Sequence, residues 1–432
     1  MKDSGIPWIG EIPEGWEVKR LKTFAAINPQ IELDPDEFHE DAQVSFIPME
    51  NLRAGFHAIT PIDFSKVKTG YVSFANGDIL MAKVTPCYEN GNIAVARNLA
   101  NGIGFGSTEI LVFRTTDIDR QFLFYYLQNP AFKGKAISEM YGVAGLKRLT
   151  PSFFENSHYP YPTRSEQERI AAYLDEKCGE IDRVIAAKER QNEMLREQRA
   201  AVIHEAVTKG LNPKAKFKES GYEWIGRVPK DWKVLKLRYV GSCQNGISKS
   251  GDLFGSGFPF VSYGDVYQNE VLPESVAGLV ESTPEDQENY CVRDGDVFFT
   301  RTSETIEEIG LTSVCMKTIE KATFAGFLIR FRPFAGMLDK MFSKYYFRCI
   351  MHRGFFVKEM NIVTRASLGQ DLLKKLPVLL PSPPEQQQIA AYLDARCGEI
   401  DRVVAANEGM VAKLKEYRAS LIWEAVTGKV AV

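Results

Sequence analysis

The chain is poor in the residues that build metal, redox and disulfide chemistry. Its 432 residues hold seven cysteines, an odd count with no CxxC pair, and five scattered histidines. That argues against a disulfide framework or a zinc site, and for reduced thiols in a cytoplasmic protein. Long apolar runs are missing as well. None approaches the ~18–20 residues a membrane helix needs. The N-terminus, MKDSGIPWIGEIPEGW, has no apolar h-region, so no secretory signal is expected. No GxxxxGK[ST] phosphate loop occurs, and no Asn-Pro-Pro-aromatic stretch. Gly102–Gly106 lacks GxGxxG spacing and reads as a turn. His204-Glu205 begins like HExxH, but Thr208 stands where the second histidine would be. Glu17–Lys19 fits half of a nuclease motif, a pattern short enough to arise by chance. The expectation is a non-catalytic chain with no metal or cofactor of its own. Excess charge of one sign is absent too: the net is −3 and the pI about 6.1.

What the chain has is repetition. IAAYLDEKCGEIDRV (Ile170–Val184) returns as IAAYLDARCGEIDRV (Ile389–Val403). Extended without gaps, Ser165–Thr208 and Pro384–Thr427 agree at 27 of 44 positions. A shorter repeat lies upstream: SGIPWIGEIPEGWEVKRL (Ser4–Leu21) against SGYEWIGRVPKDWKVLKL (Ser220–Leu237). It carries four of the five tryptophans, Trp8, Trp16, Trp224 and Trp232. The chain therefore reads as two modules, about 1–210 and 211–432, each a Trp-rich lead, a variable body and a shared tail.

The tails carry helical periodicity. With a positions at 171, 178, 185, 192, 199 and 206 and d positions at 174, 181, 188, 195 and 202, the seam is apolar with polar interruptions. Such a seam belongs to a coiled coil, and its polar residues fix register at a cost in stability. Two equal helices predict an antiparallel, pseudo-two-fold pair, each roughly 65 Å long if unbroken. On that arrangement Cys178 and Cys397 lie in different layers, without a disulfide between them. Gly179 and Gly398 cost about 1 kcal/mol each inside a helix; they predict a bend or a close helix crossing. A purely structural hairpin needs only its seam to match. Here Glu180, Asp182 and Arg183 match Glu399, Asp401 and Arg402 on the solvent side. That agreement points to two copies of one partner docking on these residues.

The bodies read as β-rich. FANGDILMAKVT (Phe74–Thr85) and VRDGDVFFTRTS (Val292–Ser303) each place Gly-Asp before a strand-like run and a basic residue, Lys83 or Arg301. STEILVFRTT pairs with FAGFLIRFRP, and VSFIPMENL with PFVSYGDVY, as further strand candidates. Helical periodicity returns at 121–139 and 340–359. The class is α+β: two similar mixed α/β domains plus two long helices. Boundaries fall at 1–164, 165–210, 211–383 and 384–432.

Local charge is more telling than the total. Residues 321–375 carry 11 Lys/Arg against 3 Asp/Glu, interleaved with aromatics from Phe324 to Phe356. Residues 120–148 carry 5 basic and one acidic residue at the matching place in the first body. Two readings stand: contacts to nucleic-acid phosphates, or a solvated helix face over an aromatic core.

The order IGEIPEGWEVKRL, a variable body with GDIL…AK and STEILVFR, then EQERIAAYLDEKCGEIDRVI, all of it repeated, resembles the specificity subunit of a type I restriction–modification system. The resemblance covers both halves of the chain. It implies that the bodies are target recognition domains, each reading one half of a split site in double-stranded DNA. It implies that the paired helices are a spacer docking two methyltransferase subunits, and that two restriction-motor subunits join the assembly. S-adenosylmethionine, ATP and Mg are then expected in those partners, not here. Half-sites about one helical turn (~34 Å) apart would lie on one face of the duplex.

Base readout needs donors and acceptors at groove edges, with Arg or Lys suited to guanine and Asn or Gln to adenine. The candidates are Lys83, Thr85 and Asn90, with Glu89 beside them, and Arg301, Thr302 and Ser303, all after predicted strands. Lys147, Arg148 and Arg365 precede the closing segments at equivalent places. For Lys83 and Arg301 the alternative is a salt bridge or plain surface charge; for Glu89 it is an Asx-like turn in YENGN. The acidic balance of residues 1–164, with 16 basic and 19 acidic residues, predicts feeble DNA binding by the isolated chain. Three other functions fit less well. They are a subunit of a methylation-only or double-side-cutting system, a coiled-coil scaffold for two proteins without DNA readout, and an enzyme acting alone.

Overall fold

The computed structural model describes residues 1–33, 38–143, 145–303, 308–359 and 366–432. The chain forms two compact units that do not follow the sequence modules. The first is Met1–Glu189 with Glu408–Val432; the second is Arg190–Asn407. The division at 210 predicted from the repeat is therefore not where the packing divides. The reason lies in the tails. A single amphipathic helix cannot bury its own stripe, so each unit combines the first half of one tail with the second half of the other.

The tails are two long helices, a central one (Arg164–Lys209) and a distal one (Pro383–Val426). Pro383 opens the distal helix where a missing N–H costs nothing. Gly210 and Gly428 follow the helix ends at φ +71° and +70°, the left-handed conformation that terminates helices. In the first unit Lys415 pairs with Glu189 at 3.1 Å and Arg418 with Asp182 at 3.0 Å. In the second, Asn407 donates to Asn192 at 2.8 Å and Arg199 pairs with Asp401 at 3.0 Å. Rising numbers on one helix meet falling numbers on the other, so each unit contains an antiparallel helix pair. The predicted seam is the buried one: Leu174, Cys178, Ile181 and Ile185, and Leu393, Cys397 and Ile400, are buried. Cys178 and Cys397 are free thiols. Gly179 and Gly398 do not mark a close crossing, because a Cβ there would meet nothing within 4 Å.

Each body holds a four-stranded antiparallel sheet in the same order. In the first unit this is Ile93–Val95, Ile79–Ala82, Ile110–Thr115, Ala25–Ile27; in the second, Thr312–Val314, Val297–Thr300, Leu328–Pro333, Gly241–Asn245. The Gly-Asp motif turns the chain into the second strand at Gly77 and Gly295, both with positive φ. Its aspartate is buried and paired: Asp78 with Arg114 and Asp296 with Arg332, each at 2.6 Å. The motif is thus a structural clasp between neighbouring strands. A second sheet in each body contains one parallel pair, Gln43–Ile47 with Ile103–Gly106 and Phe254–Val261 with Thr323–Phe324. Gly102–Gly106, expected as a turn, is largely strand. Its glycines admit Phe74, whose ring would lie 2.5 Å from a Cβ at Gly104.

The helical stretches at 121–139 and 340–359 each divide in two: Arg120–Leu127 and Pro130–Ser138, Lys340–Tyr346 and Met351–Glu359. In the first, Asn129 caps the second helix by accepting from the amide of Ala131, and Pro130 takes its first position.

Candidate nucleic-acid interface

The structure brings Lys83, Thr85, Lys147 and Arg148 together in the first body, and Arg301, Thr302 and Ser303 beside Ser367 and Leu368 in the second. In the first, the strand Ile79–Ala82 runs out into Lys83. The Lys83 amide donates to the Glu109 carbonyl at 3.0 Å, and its carbonyl accepts from Leu149 at 2.9 Å. Thr85 is buried beside the hairpin Tyr141–Val143/Leu146–Arg148. Its hydroxyl donates to the Gly145 carbonyl at 2.9 Å and accepts from the Lys147 amide at 2.9 Å. Thr85 therefore holds the hairpin in place and offers little to a ligand. Lys147 is exposed, and so are Tyr141 and Leu146. Arg148 donates through Nε to both Glu109 oxygens, at 2.9 and 3.1 Å. The Glu109 carboxylate raises its pKa. Asn90 and Glu89 lie exposed in the following loop, and Asn90 lines a cleft of about 750 Å3 together with Tyr88 and Lys133. Lys133 donates to the Glu89 carbonyl at 2.5 Å.

The second body repeats the crossing. The Arg301 amide donates to the Phe327 carbonyl at 2.9 Å, and its carbonyl accepts from Leu368 at 2.7 Å. Thr302 and Ser303 pair with Ser367 and Ala366. The Thr302 carbonyl accepts from the Tyr263 hydroxyl at 3.0 Å. Arg301 Nε is buried without a partner among the described residues, and Nη1 donates to the Gly326 carbonyl at 3.5 Å. Arg365 lies outside the described residues.

The basic segments are largely spent on the fold. Arg332 pairs with Asp296, Lys340 with Asp294 and Lys344 with Asp394. Arg348 donates to the carbonyls of Thr312, Val266 and Asn269, and Arg330 to that of Cys291. Burial lowers the pKa of Arg330 and Arg348. The interleaved aromatics are core: Phe324, Phe331, Phe342, Tyr345, Tyr346, Phe347, Phe355 and Phe356 are all buried. Phe327 and Phe334 depart from them, at 64% and 52% exposed.

The shared tail letters have internal reasons that the sequence did not disclose. Buried Gln167 and Gln386 accept from the amides of Asp119 and Asp339, at 2.6 and 2.8 Å, tying each helix start to its body. Asp175 and Asp394 accept from the hydroxyls of Tyr125 and Tyr345, at 2.7 and 2.6 Å. The matched Tyr in FLFYY and MFSKYY was the available signal. Asp182 and Asp401, expected on the solvent side for a partner, are half exposed and face Arg418 and Arg199. Burial works against the Arg199 charge, and Glu270 and Asp401 outweigh it. Glu180 meets Lys177 on its own helix, and Glu399 meets Arg396. Arg183 and Arg402 donate to the carbonyls of Gly179 and Gly398. Matching in these six residues does not by itself require a partner. Val184 and Val403 remain as identical apolar residues, each 44% exposed.

Among the described residues no cluster of three or more His, Cys, Asp or Glu could hold a metal ion, and no helix is long and apolar enough to cross a membrane.

Two mixed α/β bodies, each closed by half of two antiparallel helices, define a duplicated recognition scaffold. Residues 13–192 and 229–401 match the family model described as the type I restriction modification DNA specificity domain, and the chain belongs to that family. A solved chain from work on assembly and conformational transition of the type I R-M system superposes with a TM-score of 0.74 at 18% identity, covering 97% of this chain and all of the other. The HsdS subunit from Thermoanaerobacter tengcongensis gives 0.52 at 19% identity, over the full length of both. In sequence, the type I restriction enzyme EcoAI specificity subunit of Escherichia coli is 43% identical over 165 residues. That match covers 37% of this chain and only 27% of the relative. The MjaVIII specificity subunit of Methanocaldococcus jannaschii is 22% identical, across 98% of this chain and 94% of its own length. Each half of the chain thus carries one type I DNA specificity domain.

Proposed function

We propose that this chain reads a split DNA sequence for a type I complex, one half-site per recognition domain, without catalysing a reaction itself. The observation that carries this is a matched backbone with unmatched side chains. Both bodies bring the end of the Gly-Asp strand, a turn and the segment at Leu149 or Leu368 together through equivalent hydrogen bonds. The side chains at that crossing differ: Lys83, Glu109, Lys147 and Arg148 in one, Arg301, Thr302 and Phe327 in the other. A fixed frame with interchangeable donors and acceptors is what base readout requires.

The exposed strip around Val184 with Glu180 and Arg183, and its repeat around Val403 with Glu399 and Arg402, is the proposed dock for two methyltransferase subunits. Restriction subunits would join through that core. S-adenosylmethionine, ATP and Mg belong to those partners. With most basic side chains engaged internally, the isolated chain binds DNA feebly and gains affinity in the complex. Lys83, Asn90, Lys147, Arg148, Arg301, Thr302, Ser303 and Arg365 remain the proposed DNA contacts; Thr85 serves as their support.

Co-expression with the methyltransferase subunit encoded beside it, followed by single-molecule mapping of modified adenines, tests this. A split, asymmetric motif is expected. A stable complex that modifies no new site would contradict DNA readout and favour a protein scaffold.

A further inference from the structure

One position in the recognition frame carries opposite chemistry in the two domains. It is the third residue of a tight turn, Ser107–Ile110 in the first domain and Ala325–Leu328 in the second. Both turns are closed by the same hydrogen bond, Ile110 to Ser107 at 3.0 Å and Leu328 to Ala325 at 2.9 Å. In both, the third residue's carbonyl accepts from the basic residue that ends the Gly-Asp strand, Lys83 or Arg301. The position is therefore equivalent by backbone contacts on both sides, and it borders the proposed DNA contacts in each domain.

In the first domain it is Glu109. The carboxylate, 28% exposed, holds Arg148 by Nε and leaves both Nη groups without a partner among the described residues. A guanidinium so anchored presents its forked edge in one orientation, the geometry that meets O6 and N7 of guanine. In the second domain the position is Phe327, 64% exposed, in a segment where Phe334 is also exposed, at 52%, and the remaining aromatics are buried. It contributes little to the core, and it cannot bind a phosphate. Next to Arg301, an exposed ring suits an apolar base edge, and the apolar feature of the major groove is the thymine C5-methyl.

Resting on the proposed function, we propose that position 109/327 is a specificity-determining site in both domains. Glu109 is a positioning residue that orients Arg148 toward a guanine. Phe327 contacts a thymine methyl directly.

The test is adenine mapping in cells co-expressing the full chain with its methyltransferase subunit. Phe327→Ala should relax one thymine-containing pair in the second domain's half-site, by about 5- to 100-fold in preference, and leave the other half-site unchanged. Phe327→Leu, still apolar, should keep the preference. In the purified complex, a duplex with deoxyuridine at that thymine should behave with the wild-type chain as the normal duplex does with Phe327→Ala. Glu109→Ala should relax one guanine in the first half-site while overall modification persists; Glu109→Gln should retain most of the preference. A uniform loss across all sites would show a merely structural role and overturn the proposal. So would an unaltered motif in both alanine variants. A wild-type chain that directs no split motif would instead overturn the proposed function beneath it.

Discussion

The two units follow one plan and are held by different chemistry. In the first unit Phe132 is buried against Tyr126 and Tyr159. At the equivalent place in the second stands His352, buried against Tyr346, with Nε2 2.9 Å from the Tyr346 carbonyl. Near the crossover of the helices, the second unit buries Asn192 against Asn407. The first has Val411 and Lys188 at the corresponding repeat positions. Arg418 of the first unit pairs with Asp182, while Arg199 of the second divides itself between Asp401 and Glu270. The comparison teaches that the frame was preserved while its fastenings changed. A frame that tolerates such exchange can also tolerate new side chains on its reading surface.

The strongest way to break the comparison is to remove what one unit borrows. Deleting residues 408–432 takes Val411, Leu421, Ile422, Ala425 and Val426 out of the first core. Fully burying a side chain of Val or Leu size contributes roughly 1.5–3 kcal/mol, so their sum rivals the ~5–15 kcal/mol of a whole domain. Hydrogen exchange should show the first unit unprotected and the second intact. Equal loss of protection in both would refute the assignment of these residues to the first core alone.

Acid should separate the units next. Burial lowers the His352 pKa to about 4, from 6.5. The unfolded chain takes up that proton first as pH falls, so the contribution of neutral His352 is full above pH 6.5 and is lost on acidification toward 4. The loss reaches about 3 kcal/mol, taking 1.36 kcal/mol per pKa unit. Denaturant midpoints measured between pH 7 and 4 should fall more steeply for the second unit, and His352→Phe should remove the difference.

A smaller effect is expected where the helices carry polar residues. Asn407→Val alone leaves Asn192 short of a partner and should cost about 1–3 kcal/mol. Changing both to valine should recover much of this, since losing both partners together strands neither. A double-mutant cycle by chemical denaturation measures it; additive losses would show that the two amides are not coupled. The smallest effect concerns the half-exposed ion pairs. Asp182→Ala should cost under about 1 kcal/mol. Asp401→Ala should cost less, because Arg199 keeps Glu270. The reverse ranking in thermal unfolding would contradict the geometry.

Much of the frame was legible because repetition is visible without any structure. The seam Leu174–Cys178–Ile181 and its copy announced the helices, and the Gly-Asp pairs announced the strands. The exchange of helix halves was not legible, since a heptad pattern states which face is buried and not against what. Nor was the use of the basic segment. Arg332, Lys340 and Arg348 look like a phosphate-binding run in one dimension, and only folding brings Asp296, Asp294 and the carbonyl of Thr312 to them. Of the candidate residues, Lys83 with Arg148, and Arg301 with the segment before Leu368, converge in space. Glu109 and Phe327 were not legible as site residues, because each lies inside a strand-like word.

The central claim, one body for one half-site on a common frame, is tested most directly by duplication. A chain in which residues 24–161 are replaced by residues 240–380 would carry the second body twice. Co-expressed with the methyltransferase subunit and mapped for modified adenines, it should direct modification to an inverted repeat of the second domain's half-site. Persistence of the original asymmetric motif would contradict the account, because the sequence would then be read by something other than the bodies.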